Sequence, residues 1–198
     1  GIQNGLIKTY FEENGSVNEE TQVVDGKRNG RYTEYDINGK MISQATYKND
    51  ELNGNLNLYY DNGKIMARIP YKNGVISGEA AAFDQNGNKL YSMKFVNNKL
   101  EGTRTAYYSD GKIKYVKNYK NGIWDGKTYK EYDENGLLKY EIRDEGYVVS
   151  YRQNIDGTMT NMSESEKNLL LKRIDNRDAE KQDMERLTNL KPQPKPIF

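Results

Sequence analysis

Short runs of alternating apolar and polar residues recur along most of the chain, and each run stops at a glycine or an Asn-rich pair. The run 65–72 places Ile65, Ala67, Ile69 and Tyr71 on one side. The runs 41–48 and 113–120 do the same with Met41, Ser43, Ala45 and Tyr47, and with Ile113, Tyr115, Lys117 and Tyr119. Lys, Arg, Gln and Asn fill many of the positions between them. Alternation with a period of two marks a strand with one covered and one wet face, as in an antiparallel sheet solvated on one side.

The runs share one register. A glycine opens each repeat at Gly5, Gly30, Gly54, Gly78, Gly102 and Gly126, at a first interval of 25 residues and then 24 throughout. A second glycine follows nine or ten residues later, in Asn14-Gly15, Asn38-Gly39, Asn62-Gly63, Asn86-Gly87, Asp110-Gly111 and Asn135-Gly136. Such dipeptides between alternating runs signal a hairpin, because both residues tolerate positive φ. The aromatics keep the same register: Tyr10, Tyr35, Tyr59, Phe83 and Tyr107 after the opening glycine, and Tyr132 after one inserted residue. Tyr47, Tyr71, Phe95 and Tyr119 stand in the second strand, with Val23 in their column of the first repeat. Leu52, Ile76, Leu100 and Trp124 close the repeats, just after a second turn at Asn49-Asp50, Asn73-Gly74, Asn97-Asn98 and Asn121-Gly122.

Residues 1–160 are therefore expected to form an all-β array of about six hairpins, with a degenerate seventh from Gly146 to Gly157. Twelve strands spaced ~4.8 Å apart would span roughly 58 Å, and an open sheet of that size twists and curls. One elongated, curled sheet follows, with a groove along its aromatic row. Most column aromatics belong to its core, and Trp124, Tyr115 and Tyr91 are the candidates for groove or partner contacts. Each hairpin touches only its neighbours, so stability should be nearly additive along the array.

The unit G-x-x-x-x-Y-x-x-x-G-K followed by a strand ending Y-K-N-G resembles the bacterial variant of the MORN repeat. Gly54 to Lys64 with Tyr71-Lys72-Asn73-Gly74 carries the resemblance best, and Gly30 to Lys40 and Gly102 to Lys112 carry it well. The fourth repeat departs from it at Ala80-Ala81-Ala82 and Asn88, and the sixth lacks the second-strand aromatic. The chain is also similar to the YwqK family, proposed as antitoxins. The resemblance implies a sheet of hairpins used for contact with protein or membrane lipid; it does not fix a function.

The pattern changes near Asn161. Ser163-Glu164-Ser165-Glu166 fits a capping box with Ser163 as N-cap, and a helix is expected to about Leu190. Its apolar residues fall at its two ends, Leu169, Leu170, Leu171 and Ile174, then Met184, Leu187 and Leu190, around a charged middle from Asp175 to Asp183. Residues 161–198 thus read as a helix that caps the sheet or lies on its aromatic face, or else binds a partner. Pro192, Pro194 and Pro196 follow in an extended tail.

Composition narrows the function. With 30 basic and 29 acidic residues the charge is balanced, which speaks against nucleic acid as a partner. The mean hydropathy is −1.02, yet 17 tyrosines set the chain apart from disordered sequences. The chain opens on Gly1 without Met or an apolar leader, as a mature form or an expressed fragment would; a setting outside the cytoplasm is marginally preferred. There is no histidine and no cysteine, which removes the common triads, thiolate sites and His-ligated metals. No phosphate loop, dinucleotide fingerprint or kinase motif is present. The Asp-x-Asn-Gly turns lack the spacing of a calcium loop. No catalytic, metal or cofactor residue is assigned. The expectation is a non-catalytic scaffold for protein–protein interaction, antitoxin-like or a surface adaptor. The alternatives are a membrane-lipid-binding module and an enzyme, such as a chain labelled lipid kinase through MORN similarity alone. Partner identity and oligomeric state stay open.

Overall fold

The structure is a computed structural model and describes residues 2–144 and 148–175. Its strands pair as consecutive antiparallel hairpins. They are β1 (Gly5–Tyr10) with β2 (Val17–Val24), β3 (Lys27–Tyr35) with β4 (Met41–Lys48), β6 (Gly54–Tyr59) with β7 (Ile65–Lys72), and β9 (Gly78–Phe83) followed by β10 (Lys89–Val96). Then come β11 (Lys99–Tyr107) with β12 (Ile113–Lys120), β13 (Ile123–Tyr132) with β14 (Leu138–Asp144), and β15 (Val148–Gln153) with β16 (Met159–Asn161). Two short strands, β5 (Glu51–Leu52) and β8 (Val75–Ile76), pair with β4 and β7 beside this path. The sheet is open and follows chain order, and one helix, α1 (Glu164–Asp175), comes after it. The seventh hairpin is formed, with the same Asn154 to Gly157 turn as its predecessors; its expected opening glycine, Gly146, lies outside the described residues, as does the expected helix beyond Asp175.

The two kinds of turn differ in a way the dipeptides conceal. In the Asn-Gly turns only the glycine has positive φ, for example 80° at Gly39, 79° at Gly63, 92° at Gly87, 86° at Gly111 and 87° at Gly136. Gly39 N–H donates to the Asp36 carbonyl and Asp36 N–H to the Lys40 carbonyl. That is a three-residue loop, a type I turn closed by a left-handed glycine. The register slips at the neighbouring aromatic, between Glu34 and Tyr35, Leu58 and Tyr59, Ala106 and Tyr107, and Glu131 and Tyr132. The second turns have positive φ at both residues, as at Asn73 (49°) and Gly74 (75°) or Asn121 (54°) and Gly122 (84°), which is the two-residue geometry matched to strand twist.

The described residues cluster into two units, an N-terminal one over residues 2–89 with 95–98 and a C-terminal one over 90–94 with 99–175. In the N-terminal unit one face buries Tyr32, Ala45, Tyr47, Leu56, Ile69, Tyr71 and Ile76, joined by direct cross-strand pairs such as Tyr32 with Ala45 and Leu56 with Ile69. The opening glycines face the second-strand aromatics, Gly30 against Tyr47 and Gly54 against Tyr71. The first-strand aromatics belong to the other face. Tyr35 shares a side with Thr33, whose partner is Glu20, and its hydroxyl donates to Glu20 at 3.2 Å. The expected single aromatic row is thus two belts on opposite faces of this unit, Tyr35, Tyr59 and Phe83 half-buried in the first and Tyr47 and Tyr71 fully buried in the second.

In the C-terminal unit the buried cluster is Ala106, Tyr115, Tyr129, Ile142, Leu170 and Ile174. The helix therefore lies on the aromatic face, with Leu170 and Ile174 one turn apart against the sheet and Leu169 turned out, 66% exposed. Its capping box is made as expected: Ser163 N–H and Oγ both donate to Glu166 Oε2 at 2.9 Å, and Glu166 N–H reaches Ser163 Oγ at 3.3 Å.

Candidate functional site

The three candidate contact residues separate by depth. Tyr115 is buried beneath the helix and stacks near Tyr129, with ring centroids 6.2 Å apart. Tyr91 is half-buried, and the Arg104 guanidinium sits 4.7 Å above its ring. Both belong to the packed interior of the C-terminal unit. Trp124, also half-buried, lines an open groove.

Its position follows from the turn. Asn121-Gly122 folds β12 onto β13 so that Tyr119 and Trp124 stand directly opposite each other. In the same column Leu52, Ile76 and Leu100 fit wholly into the core. An indole exceeds that slot, so Trp124 packs one side against the cluster and lines an open groove with the other. Its Nε1–H donates to the Thr128 carbonyl at 3.3 Å. The groove has a volume of about 760 Å³ and is lined by Glu101, Asn118, Tyr119, Lys120, Ile123, Trp124, Asp125 and Lys127 among others. Ile123 is 72% exposed there. Glu101 Oε2 accepts from Asn121 N–H at 2.8 Å, and Asp125 Oδ1 accepts from Lys127 N–H at 2.9 Å, so the rim is fixed to the turns. The groove thus has an aromatic and aliphatic floor and a mixed-charge rim. Among the described residues no group of His, Cys, Asp and Glu side chains could hold a metal ion.

Beside the groove lies a feature that was only half visible in the sequence. Arg104 on β11 and Lys117 on β12 are direct cross-strand partners, exposed by only 0% and 3%. They occupy the columns of Tyr32, Leu56 and Ala80 and of Ala45, Ile69 and Met93. Arg104 bonds to the Tyr115 hydroxyl, and its guanidinium carbon lies 5.5 Å from that ring. Lys117 Nζ lies 5.7 Å from Tyr115 and 5.8 Å from Trp124, and it donates to the Ile174 carbonyl of the helix at 3.5 Å. Alternation placed Lys117 on the covered face, but Arg104 was missed; stepping 24 residues from Tyr32 would have found it. Farther along the unit, burial pushes the Glu141 carboxyl up, but hydrogen bonds from Arg143 and Lys130 outweigh it and hold the group below the usual range.

No curated protein matches the chain. The family model described as the MORN repeat variant matches residues 28–49, 52–73 and 100–121, which are the three repeats whose residues carry the resemblance most fully. The chain is thus a β-hairpin repeat protein that carries three MORN repeat variants.

Proposed function

We propose that this chain is a non-catalytic scaffold that binds another protein through the groove at Tyr119, Ile123 and Trp124. MORN repeats are generally associated with binding or scaffold roles, and within the hairpin array the repeat around Trp124 differs from its neighbours. The carrying observation is the pair Ile123 and Trp124. Where three repeats close on buried Leu52, Ile76 and Leu100, this one presents a half-buried indole beside an isoleucine that is 72% exposed. Tryptophan and tyrosine in a partly desolvated pocket are strong anchors for a protein partner. The partner's identity separates an antitoxin-like role from that of a surface adaptor.

The test is affinity capture from cells with membranes included, using the wild-type chain beside Ile123→Glu. That substitution charges an exposed position and leaves the packed cluster intact. The proposal expects one protein held stoichiometrically by the wild type and lost by the variant. A protein held equally by both would remove the groove from the account. Retention of vesicles with no protein would replace the scaffold with a lipid-binding module.

A further inference from the structure

The residue that opens each Asn-Gly turn alternates along the chain. Asp36, Tyr60, Asp84, Tyr108 and Asp133 follow one another there, with Phe11 before them. The two kinds of turn are held differently. Asp36 Oδ1 accepts from the backbone N–H of Asn38 at 2.9 Å and of Lys40 at 2.8 Å. Asp84 Oδ1 accepts from those of Asn86 and Asn88, both at 2.8 Å, and Asp133 Oδ1 from those of Asn135 and Leu137, both at 2.9 Å. The second, fourth and sixth turns are thus closed by their own first carboxylate. In the first, third and fifth turns the acceptor moves next to the glycine. There Asn14, Asn62 and Asp110 take the backbone N–H of Ser16, Lys64 and Lys112, each at 3.0 Å. Asp156 does the same for Thr158 in the seventh, also at 3.0 Å.

That shift releases other side chains of the first, third and fifth turns to reach forward. The Tyr60 hydroxyl donates to the Phe83 carbonyl at 2.8 Å, Asn62 Nδ2 to the Gln85 carbonyl at 2.9 Å and Lys64 Nζ to the Asn86 carbonyl at 2.8 Å. All three acceptors belong to the fourth hairpin. The Tyr108 hydroxyl and Lys112 Nζ donate to the Tyr132 and Glu134 carbonyls of the sixth, both at 2.8 Å. Asn14 Nδ2 and Ser16 Oγ donate to the Ile37 carbonyl of the second at 2.9 and 3.1 Å. The Asp36 side chain, by contrast, is engaged within its own turn. Backbone pairing has no such direction. The third hairpin meets the second through Ser43–Leu58, Gln44–Asn57, Tyr47–Leu52 and Lys48–Glu51. It meets the fourth through Ala67–Ala82, Arg68–Ala81, Tyr71–Ile76 and Lys72–Val75. The two sides are matched, so the bonds from Tyr60, Asn62 and Lys64 are what tie the third turn to the fourth rather than to the second.

We infer that the Asn-Gly turns work in linked pairs, first with second, third with fourth and fifth with sixth, and that they open pair by pair rather than one hairpin at a time. A side chain of one turn that holds backbone carbonyls of the next must let go before that next turn can open. Coupling between neighbours sets how far a local opening spreads in a repeat array, and here the coupling is strong at every other boundary. The working period along this edge is two repeats, although the sequence interval is one. The inference is independent of the groove reading, which concerns the other kind of turn and needs a partner.

Amide hydrogen exchange of the full chain, read residue by residue by nuclear magnetic resonance, tests it. The second and fourth turns offer matched reporters. Gly39 and Gly87 donate alike to the carbonyl of the first turn residue, and Lys40 and Asn88 alike to its carboxylate. Tyr60→Phe removes only the hydroxyl, and phenylalanine already stands at that turn position as Phe11. Asn62→Asp keeps the acceptor and removes the donor, and aspartate already stands there as Asp110. Each variant should speed exchange at Gly87 and Asn88 by about threefold or more, as the loss of one hydrogen bond implies, and leave Gly39 and Lys40 at their wild-type rates. Tyr108→Phe should act in the same way on Gly136 and Leu137. Equal acceleration in the second and fourth turns, or no acceleration in the fourth turn from either Tyr60→Phe or Asn62→Asp, would overturn the inference.

Discussion

Gly78 has φ of +125°, and a Cβ there would stand 3.0 Å from Cγ of Pro70 on the neighbouring strand. Gly39 has φ of +80° with nothing within 4 Å. Alanine at Gly78 meets both backbone strain and a clash, whereas at Gly39 it meets strain alone. Gly78→Ala should lower unfolding stability by about 2–3 kcal/mol and Gly39→Ala by about 1 kcal/mol, as urea denaturation would read. Equal losses would contradict the contact. Tyr71, fully buried against Gly54 and Ile76, should lose about 3 kcal/mol as Tyr71→Ala. The buried phenols also respond to pH. Burial, the largest cause, pushes Tyr47 up to about 12, and it raises Tyr32 and Tyr71 as well. A phenol raised in the fold contributes stability below its ordinary value of 10.0 that is lost as pH climbs toward the folded value. Absorbance titration should show a group of tyrosines that ionise above pH 10.0, with unfolding beginning between that pH and about 12. Residue identity made the columns legible, but the face of each column was not. Tyr35 and Tyr47 look alike in the repeat, and only the cross-strand partners Thr33–Glu20 and Tyr32–Ala45 show that they point to opposite sides.

At the scale of elements, the helix start was written plainly in Ser163 and Glu166, because a capping box needs only local atoms. The Glu166 carboxyl is held below its ordinary 4.5, first by the Ser163 backbone N–H, then by the Ser163 hydroxyl and with help from the Arg152 charge. A carboxylate lowered in the fold contributes stability above its unfolded value that is lost as pH falls through the folded one. The helical signal near 222 nm should therefore hold at neutral pH and decline below pH 4.5, and Glu166→Gln should flatten that decline. An unchanged acid profile in Glu166→Gln would remove the cap from the account. The turns were legible as turns but not as types. Asn38-Gly39 and Asn73-Gly74 are the same dipeptide, yet the first closes a three-residue loop beside a register slip and the second a two-residue one. What separates them is the pairing of the flanking strands, which no dipeptide contains.

For the whole molecule, the 24-residue interval foretold an array in chain order, since each hairpin finds its partners in its own neighbours. The seventh hairpin forms although its sequence has drifted, because the Asn154 to Gly157 turn keeps its hydrogen bonds and β15 pairs with β14 through five residue pairs. The position of the helix was less legible. Its apolar residues suit either an end cap or a face, and contacts with Tyr115, Tyr129 and Ile142 decide for the face. The groove was legible only as Trp124; its depth depends on Tyr119 being brought opposite by the turn and on an exposed Ile123 that no periodicity singles out. The most direct test of the scaffold account is calorimetric titration of the captured protein against wild type and Ile123→Glu. The account predicts saturable one-to-one binding by the wild type and at least tenfold weaker binding by the variant, about 1.4 kcal/mol or more. Equal affinity for the two proteins would contradict it.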